Sequence, residues 1–320
     1  MAMCRYLVAD GRHCSEEAGE HELCRWHDPH ADHQDPQTAH ELEHYIHQGG
    51  LCHGLQLARA NLAGLNLVKK GAPQGFLLEQ CNFYRANLQG AHLYGIRIKG
   101  GSLMKADLSD ANLHCAELDD VNLLGIRWHN TRLDNLNTGK RLMQERRGRS
   151  ERDPAQARIW FKEAEETYRD LRKASEAQGI FTMSGRYIQR ELTMRRLQLP
   201  LWSIQRFTSW IVDLFCGYGE APMRVVLFSL LLIFICSIFY FFFGLSFQGE
   251  HLIYQPGAPF EQNAIFLLEC LYYSVVTFTT LGYGDFTPVG LSRIFAAFEA
   301  FTGSFTLALF VVVFVKKMTR

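Results

Sequence analysis

Two long apolar segments occupy the C-terminal third of the chain. Residues 225–245 contain no charged residue, and residues 294–315 contain a single one, Glu299. A helix rises about 1.5 Å per residue, so each segment is long enough to cross a hydrocarbon core about 30 Å thick. The pattern predicts two membrane-spanning helices behind a large polar N-terminal half, and hence a multidomain membrane protein.

A second pattern, with a period of five, runs through residues 57–133. Every fifth residue is large and apolar, and a small or apolar residue stands two positions before most of these centres. This period matches neither an amphipathic helix nor an alternating strand. It predicts a chain that turns a corner every five residues and points both positions inward. The centres are Leu57, Leu62 and Leu67, then, after a slip of one residue near residues 71–75, Leu78, Phe83, Leu88, Leu93, Ile98, Leu103, Leu108, Leu113, Leu118, Leu123, Trp128 and Leu133.

The local sequences RANLQG, KADLSD and DANLHC lie within this stretch. On these motifs, about residues 50–137 resemble the pentapeptide-repeat family. The resemblance implies a right-handed quadrilateral β-helix of roughly four stacked coils. A rigid spacer or oligomerisation rod is the favoured role. The alternative role, mimicry of DNA, would need an acidic surface, which this stretch lacks. The stretch contains no catalytic constellation, so we do not expect an enzyme.

The region between the repeats and the first span is predicted to be helical. Residues 138–199 are interpreted as a charged linker followed by a helical hairpin, with a helix start at Pro154 and a break at Gly179. The amphipathic segment 201–215 carries Trp and Phe on one face and is predicted to lie in the membrane interface. Packing of that helix into a cytosolic core stays open as the alternative. Pro222 suits the first turn of the first span.

The segment 264–290 between the spans is too short and too polar at its end for a third span. It is typical of a re-entrant helix followed by an extended loop, which membranes tolerate only where protein or a water-filled path surrounds it. The loop contains the motif TLGYGD at residues 280–285. This motif resembles the filter of the potassium-channel pore family, T-V-G-Y-G-D, with Leu281 in place of Val. Residues 200–320 are therefore interpreted as an interfacial helix and an all-α, tetrameric pore domain.

The resemblance implies roles for individual residues. Backbone oxygens of the filter replace the hydration shell of K⁺, Asp285 lies at the outer mouth near a donor such as Tyr272, and Val276 stands where the family often has a Glu that pairs with this Asp. Gly282 and Gly284 supply conformations that only Gly adopts at low cost. The predicted filter residues are Thr280, Leu281, Gly282, Tyr283 and Gly284.

Three further positions in the second apolar segment are candidates for channel function. Gly303 matches the family's gating hinge, with close helix packing as the alternative. Glu299 is an ionisable group at membrane depth, for which we favour a hydrogen-bonding role behind the filter. Phe310 and Phe314 are candidates for an inner constriction. No regularly spaced Arg array suggests a voltage sensor, so the gating stimulus is not predicted.

Residues 1–49 form a Cys- and His-rich module. Cys4, Cys14, Cys24 and His27 supply the ligand types of a closed tetrahedral Zn²⁺ site, and Cys24 and His27 have knuckle spacing. The ligand choice stays open, because four other residues could substitute. A structural zinc is favoured over regulatory metal sensing or a disordered tail, since so short a polar segment needs a staple. The possible substitutes are His13, His21, His30 and Cys52.

Charge completes the interpretation. The 33 Lys and Arg balance the 33 Asp and Glu, which argues against a protein that mainly coats nucleic acid. Basic residues flank both spans, and the loop between them lacks Lys and Arg until Arg293, so both termini are predicted to be cytosolic in a multi-pass protein of the cell membrane. No signal peptide is expected. The basic flanking residues are Arg195, Arg196, Arg206, Arg224, Lys316, Lys317 and Arg320.

The sequence thus predicts a homotetrameric potassium-selective channel, with K⁺ as permeant ion, Zn²⁺ as cofactor, and other copies of the chain and membrane lipid as partners. A nonselective cation pore and a non-conducting, membrane-anchored scaffold remain the alternatives.

Overall fold

A computed structural model of the chain describes residues 2–19, 21–69, 71–72 and 74–319. Arg320 of the predicted basic cluster lies outside the described residues. The chain divides into two compact units, Met1–Arg206 and Phe207–Arg320. Each is described by itself.

The repeats of the first unit form a stack of parallel coils, here called the repeat stack (residues 53–137). Three short strands, β1 (Leu77–Glu79), β2 (Arg97–Lys99) and β3 (Glu117–Asp119), pair in parallel in the order β1-β2-β3. Arg97 stands opposite Glu117, and four repeats separate the two positions, so one coil contains four repeats. The first coil is longer, since His53 pairs with Glu79. The slip in the sequence pattern is therefore an insertion that lengthens one coil.

The five-residue register is confirmed by burial. All fifteen predicted centres are buried in the stack, and Leu108 and Leu113 are completely inaccessible. The corner is formed by the residue two positions after the centre. At every centre except Leu67 this residue takes a left-handed backbone, as Gly90 (φ 65°) and Asp110 (φ 60°) do. Gly, Asn and Asp tolerate this conformation best. A corner every fifth residue keeps all centres on the inside.

Four helices flank the stack within the first unit. α1 (Thr38–His47) belongs to the N-terminal module. After the repeats come α2 (Met143–Ser150), α3 (Pro154–Ala177) and α4 (Phe181–Gln198), and α3 and α4 form the predicted hairpin. Pro154 begins α3, as its fixed φ favours, and the side chain of Asp153 caps the helix by accepting from the amide of Ala155 at 3.0 Å.

The segment interpreted as a charged linker is more ordered than expected. It contains α2, and Glu145 of α2 is completely buried. Its carboxylate accepts a hydrogen bond from Tyr168 at 2.7 Å and pairs with Arg149 at 2.9 Å. The many charged residues suggested an exposed linker, but a carboxylate can be buried when cations and hydrogen-bond donors surround it.

The second unit contains the remaining helices and a small sheet. α5 (Ile204–Cys216) begins three residues before the boundary between the units and precedes α6 (Pro222–Phe243), α7 (Phe260–Phe278) and α8 (Ser292–Met318). Strands β4 (Leu245–Phe247), β5 (Glu250–Leu252) and β6 (Phe286–Pro288) form an antiparallel sheet in the order β5-β4-β6. The sequence did not predict this sheet. It joins the segment after the TLGYGD motif to the segment that follows α6.

Within the described residues, two helices are long and apolar enough to cross a membrane, α6 and α8. Only 28% and 22% of their most apolar windows are buried in the chain, whereas a core helix of a soluble protein would be mostly buried. α6 ends at Phe243, slightly earlier than the apolar run, because Gly244 takes a φ of 85° and β4 begins there. α5 also leaves its apolar face uncovered, and Cys216 is its single buried residue.

Candidate functional site

The TLGYGD loop begins as the C-terminal cap of α7. The amide of Leu281 donates to the carbonyl of Val276 at 3.0 Å, and the amide of Thr280 donates to that of Thr277 at 3.1 Å. These two bonds form a Schellman motif, whose left-handed position normally holds Gly. Here Thr280 occupies it, with a φ of 56°. A β-branched residue in this region is strained, and such strain persists where function requires it.

The backbone of the loop then alternates in hand. Gly282 and Gly284 take φ values of 60° and 77°, so every second residue from 280 to 284 is left-handed. Alternation of this kind turns successive carbonyls toward the same side of the chain, which a regular strand does not. The arrangement can offer several oxygens in a row to one cation.

The loop is uncovered within one chain. Leu281 is 59% exposed and Tyr283 is 67% exposed. Bare polar backbone at membrane depth needs partners from other protein or from water. In the described chain, residues 280–285 are all exposed.

Asp285 lies beside Tyr272, the donor suggested by the sequence, and its position at an outer mouth stays a prediction. The hydroxyl of Tyr272 donates to Asp285 Oδ2 at 2.9 Å, and the carboxylate also accepts from the amide of Phe286 at 3.0 Å. Val276 is buried and offers no polar partner. The Tyr hydroxyl thus supplies the donor that holds this carboxylate within the chain.

Glu299 connects three helices. It lies on α8, is completely buried, and accepts hydrogen bonds from Tyr240 of α6 at 2.5 Å and from Ser274 of α7. Ser274 also donates to the carbonyl of Ile233 on α6 at 2.8 Å. This network fixes α7, and with it the start of the TLGYGD loop, against both long helices, so the geometry matches the hydrogen-bonding role favoured for Glu299.

Gly303 lies at the closest approach of α8 to the end of α7. A Cβ added to it would stand 2.9 Å from the carbonyl carbon of Phe278 and closer still to the oxygen. Phe278 comes just before Thr280, and α8 continues through Gly303 without a break. The geometry favours the packing role of Gly303, and the hinge stays a prediction.

The two candidates for an inner constriction differ. Phe310 packs against a buried cluster of Cys216, Val225 and Val313 within the chain. Phe314 is 45% exposed, so it has the side chain more available to a pore.

The Cys and His residues of the N-terminal module form a second site. Cys4, Cys14, Cys24 and His27 are all buried, and their ligand atoms lie within 4.8 Å of one another. The Sγ atoms of Cys14 and Cys24 are 3.6 Å apart, close to the edge of about 3.7 Å expected for two thiolates on a tetrahedral Zn²⁺. His27 Nδ1 lies 3.0 Å from Cys24 Sγ. The donor set fits the metal, and the four ligand atoms are close enough together to share one ion.

Burial favours the neutral form of each group. It lowers the pKa of His27, so the imidazole is neutral, as a ligand must be, and it raises the pKa of the Cys24 thiol, so a bound metal would have to displace that proton. The possible substitutes do not join the cluster. His21 pairs with Asp28 at 2.7 Å, and the thiol of Cys52 donates to the carbonyl of Gly50 at 3.3 Å.

Comparison with known protein families finds a match in the C-terminal part of the chain and another in the repeats. Residues 227–320 match the family model described as "Ion channel". Residues 74–100 and 86–125 match the model for pentapeptide repeats. The chain joins an ion channel domain to pentapeptide repeats.

Solved structures of pentapeptide repeat proteins are also similar to this chain. One, from the cyanobacterium Cyanothece, is 28% identical over 28% of this chain and 56% of its own, with a TM-score of 0.25. Another, from the thylakoid lumen of Arabidopsis thaliana, is 28% identical over 25% of this chain and 59% of its own, with a TM-score of 0.11. The matched segment spans little more than half of either protein. No curated protein matches the chain.

Sequence reasoning missed two polar residues of the ion channel domain, Tyr240 and Ser274. A signal was present, since a hydroxyl inside an apolar helix needs a partner at membrane depth. Which hydroxyl would meet Glu299 depends on how the helices cross, and periodicity does not contain that information.

Proposed function

We propose that the chain is one subunit of a homotetrameric, potassium-selective channel that conducts K⁺ passively across a membrane. The observation that carries this proposal is the TLGYGD loop, in which every second residue from Thr280 to Gly284 is left-handed and residues 280–285 are all exposed in the described chain.

The chemistry of K⁺ explains the arrangement. A dehydrated K⁺ needs about eight oxygens to replace its water, and four loops around one axis supply four from each of two adjacent rings. Residues 280–283 provide the carbonyls, and the Thr280 hydroxyl provides the innermost ring. The C-terminal end of α7, which carries a partial negative charge, points into the start of the loop and favours a cation there.

Exposure supports the tetramer. The apolar faces of α6 and α8 are largely uncovered, as are Leu281 and Tyr283. Three further copies would cover the loops, and lipid would cover the outer faces. Fourfold symmetry is the arrangement that surrounds one K⁺ with equivalent oxygens.

The basic residues around α6 and α8 support a cell-membrane protein with both termini in the cytosol. α5, with Trp210 half exposed and Phe207 59% exposed on its apolar face, would lie in the cytosolic interface. The pentapeptide repeats would then form a cytosolic, right-handed, four-sided β-helix that serves as scaffold or regulatory module.

We also propose that Cys4, Cys14, Cys24 and His27 hold one structural Zn²⁺. The fit of four buried donors to a tetrahedral site supports it. Purified protein is expected to contain about one zinc per chain by elemental analysis, and Cys24→Ser is expected to lose it.

Ion flux into liposomes tests the channel. We expect purified protein to pass K⁺ well over Na⁺. Gly282→Ala is expected to abolish flux or selectivity while the tetramer persists, because Ala is strained at a φ of 60°. Gly257→Ala is the matched control, since its added Cβ meets nothing within 4 Å and its φ is ordinary.

Other outcomes would overturn parts of the proposal. Comparable Na⁺ and K⁺ flux would indicate a nonselective cation pore. Absence of flux from a well-folded tetramer would indicate a membrane-anchored scaffold. A stable tetramer of residues 1–199 alone would show that the soluble half drives assembly.

A further inference from the structure

The first coil of the repeat stack has a problem that later coils do not have. In later coils, the amide before each centre donates to the coil below: Asn82 donates to Leu55 O at 2.8 Å, and Asn87 donates to Ala60 O at 2.9 Å. The first coil has no coil below it. Its equivalent amides need other acceptors, because a bare strand edge is costly when buried and prone to pairing with other chains when exposed.

The N-terminal module supplies these acceptors. The amide of Gln56 donates to the carbonyl of Trp26, and the amide of Asn61 donates to the carbonyl of His33, both at 2.8 Å. The amide of Asn66, one repeat further, donates to a carboxylate oxygen of Glu43 at 2.5 Å. On three successive sides, the module takes the place of a preceding coil.

The apolar interior continues in the same direction. Trp26, Leu42 and Ile46 of the module belong to one buried cluster with Leu55 and Leu57 of the first coil. Stacked repeats need such atypical ends, since an unmodified terminal repeat leaves its core open to water. The module is therefore the N-terminal cap of the stack.

The cap is attached to the coil through a metal-ligand candidate. His27 directs Nδ1 to the thiols, and its Nε2 lies 3.0 Å from the carbonyl oxygen of His53. With Nδ1 on a metal, Nε2 carries the proton and donates to that carbonyl, as metal-bound imidazoles commonly do. Tyr6 stacks on the His27 ring at 4.1 Å and its hydroxyl contacts His53 Nδ1 at 2.7 Å.

We infer that Zn²⁺ bound at Cys4, Cys14, Cys24 and His27 locks the N-terminal module onto the first coil as a metal-dependent cap of the repeat stack. The inference rests on the proposed zinc site. The described part of the module contains one short helix, α1, and isolated bridges, so the metal is its main cross-link. Loss of the metal frees His27, loosens the carbonyls of residues 26 and 33, and exposes the amide edge of the first coil.

Hydrogen exchange followed by mass spectrometry on the full-length protein in detergent tests the cap. Zinc is removed with a chelator in the presence of a reductant, because Cys14 and Cys24 are close enough to oxidise once free. We expect the amides of residues 53–67 to lose at least about tenfold in protection. Residues 108–133, which lie in later coils, are expected to keep theirs.

Variants provide the matched comparison. Cys24→Ser should reproduce the effect of chelation, whereas Cys52→Ser removes a nearby thiol outside the cluster and should change neither zinc content nor exchange. If Cys24→Ser fails to fold, Tyr6→Phe serves instead. It should retain zinc and raise exchange of residues 53–67 by a smaller factor.

The outcomes separate the two proposals. One zinc per chain with unchanged exchange after chelation overturns the cap and leaves the zinc site intact. Zinc-free, fully folded protein overturns both. One zinc per chain with exchange that rises along the whole stack also overturns the inference, because the metal would then hold the entire domain rather than its end.

Discussion

The two units of this chain differ in the exposure of their apolar side chains. In the pentapeptide repeat domain they point inward, and Leu108 is completely buried. In the ion channel domain many point outward, and Phe301 and Phe305 are 66% and 67% exposed. The first unit completes its core within one chain. The second has a buried core mainly at the contacts of α6, α7 and α8, and leaves many other apolar side chains exposed in the described chain.

This difference predicts different consequences for a disruptive substitution in each unit. A charge introduced into the core of the repeat domain should lower the stability of that domain. A larger side chain at one of the few internal contacts of the ion channel domain should reduce ion conduction.

The largest effect is expected for Leu108→Asp. A lone carboxylate between stacked coils should lower the free energy of unfolding of the repeat domain by more than about 4 kcal/mol. Asp119→Asn, at an exposed position with a long 3.9 Å contact to Arg146, should change it by less than about 0.5 kcal/mol. Calorimetry and limited proteolysis measure both. Equal stability of the two variants would contradict the five-residue register.

Gly303→Ala comes next. The new methyl group would meet the Phe278 carbonyl carbon at 2.9 Å and its oxygen more closely, and helix backbone cannot yield as a side chain does. We expect a loss of about 1–3 kcal/mol in the ion channel domain and reduced K⁺ flux, with Gly257→Ala unchanged. If flux alone changed while thermal stability held, the hinge interpretation would replace the packing one.

A smaller effect is expected for Tyr240→Phe. It removes the hydroxyl that donates to buried Glu299 and should cost about 1–2 kcal/mol, because a buried carboxyl group loses a donor. Tyr254→Phe, on the same unit but with no hydrogen bond shown for its hydroxyl among the described residues, is the matched control. Thermal unfolding of both variants in the same detergent provides the measurement. A change equal to that of the control would show that the Tyr240 hydrogen bond does not stabilise the ion channel domain.

The smallest effect is expected for Tyr272→Phe. Its bond to Asp285 is exposed in the single chain, so stability should fall by about 0.5–1.5 kcal/mol at most. The Asp285 carboxylate loses a side-chain donor, and we expect a measurable change in K⁺ flux or in its decay with time. Unchanged flux at every K⁺ concentration would show that this donor does not matter at the outer mouth.

Sequence patterns predicted well what is periodic or composition-driven. The centres from Leu57 to Leu133 follow from a repeat of five, and α6 and α8 follow from the length of apolar runs. Pro154 and Pro222 marked helix starts because Pro lacks an amide proton that a first turn does not need.

What sequence could not predict depends on contacts between distant segments. The hydrogen bonds of Glu299 to Tyr240 and Ser274 join three helices, and the sheet of β4, β5 and β6 joins segments on either side of α7. Cys4, Cys14, Cys24 and His27 were foreseen as a set, but their connection to the first coil through the His53 carbonyl was not. Such contacts follow from how elements pack, which no local period records.

Because each later coil contains four repeats, the pentapeptide repeat domain could lengthen or shorten by whole coils. Neighbouring coils are one strand spacing apart, so adding or deleting a whole coil would move the two ends by about 4.8 Å. Because four repeats complete one circuit, adding or deleting a whole coil leaves every face of the remaining coils pointing in its original direction. Descendants of this chain could therefore change the distance between the cap and the helical hairpin in fixed increments, without rebuilding either end.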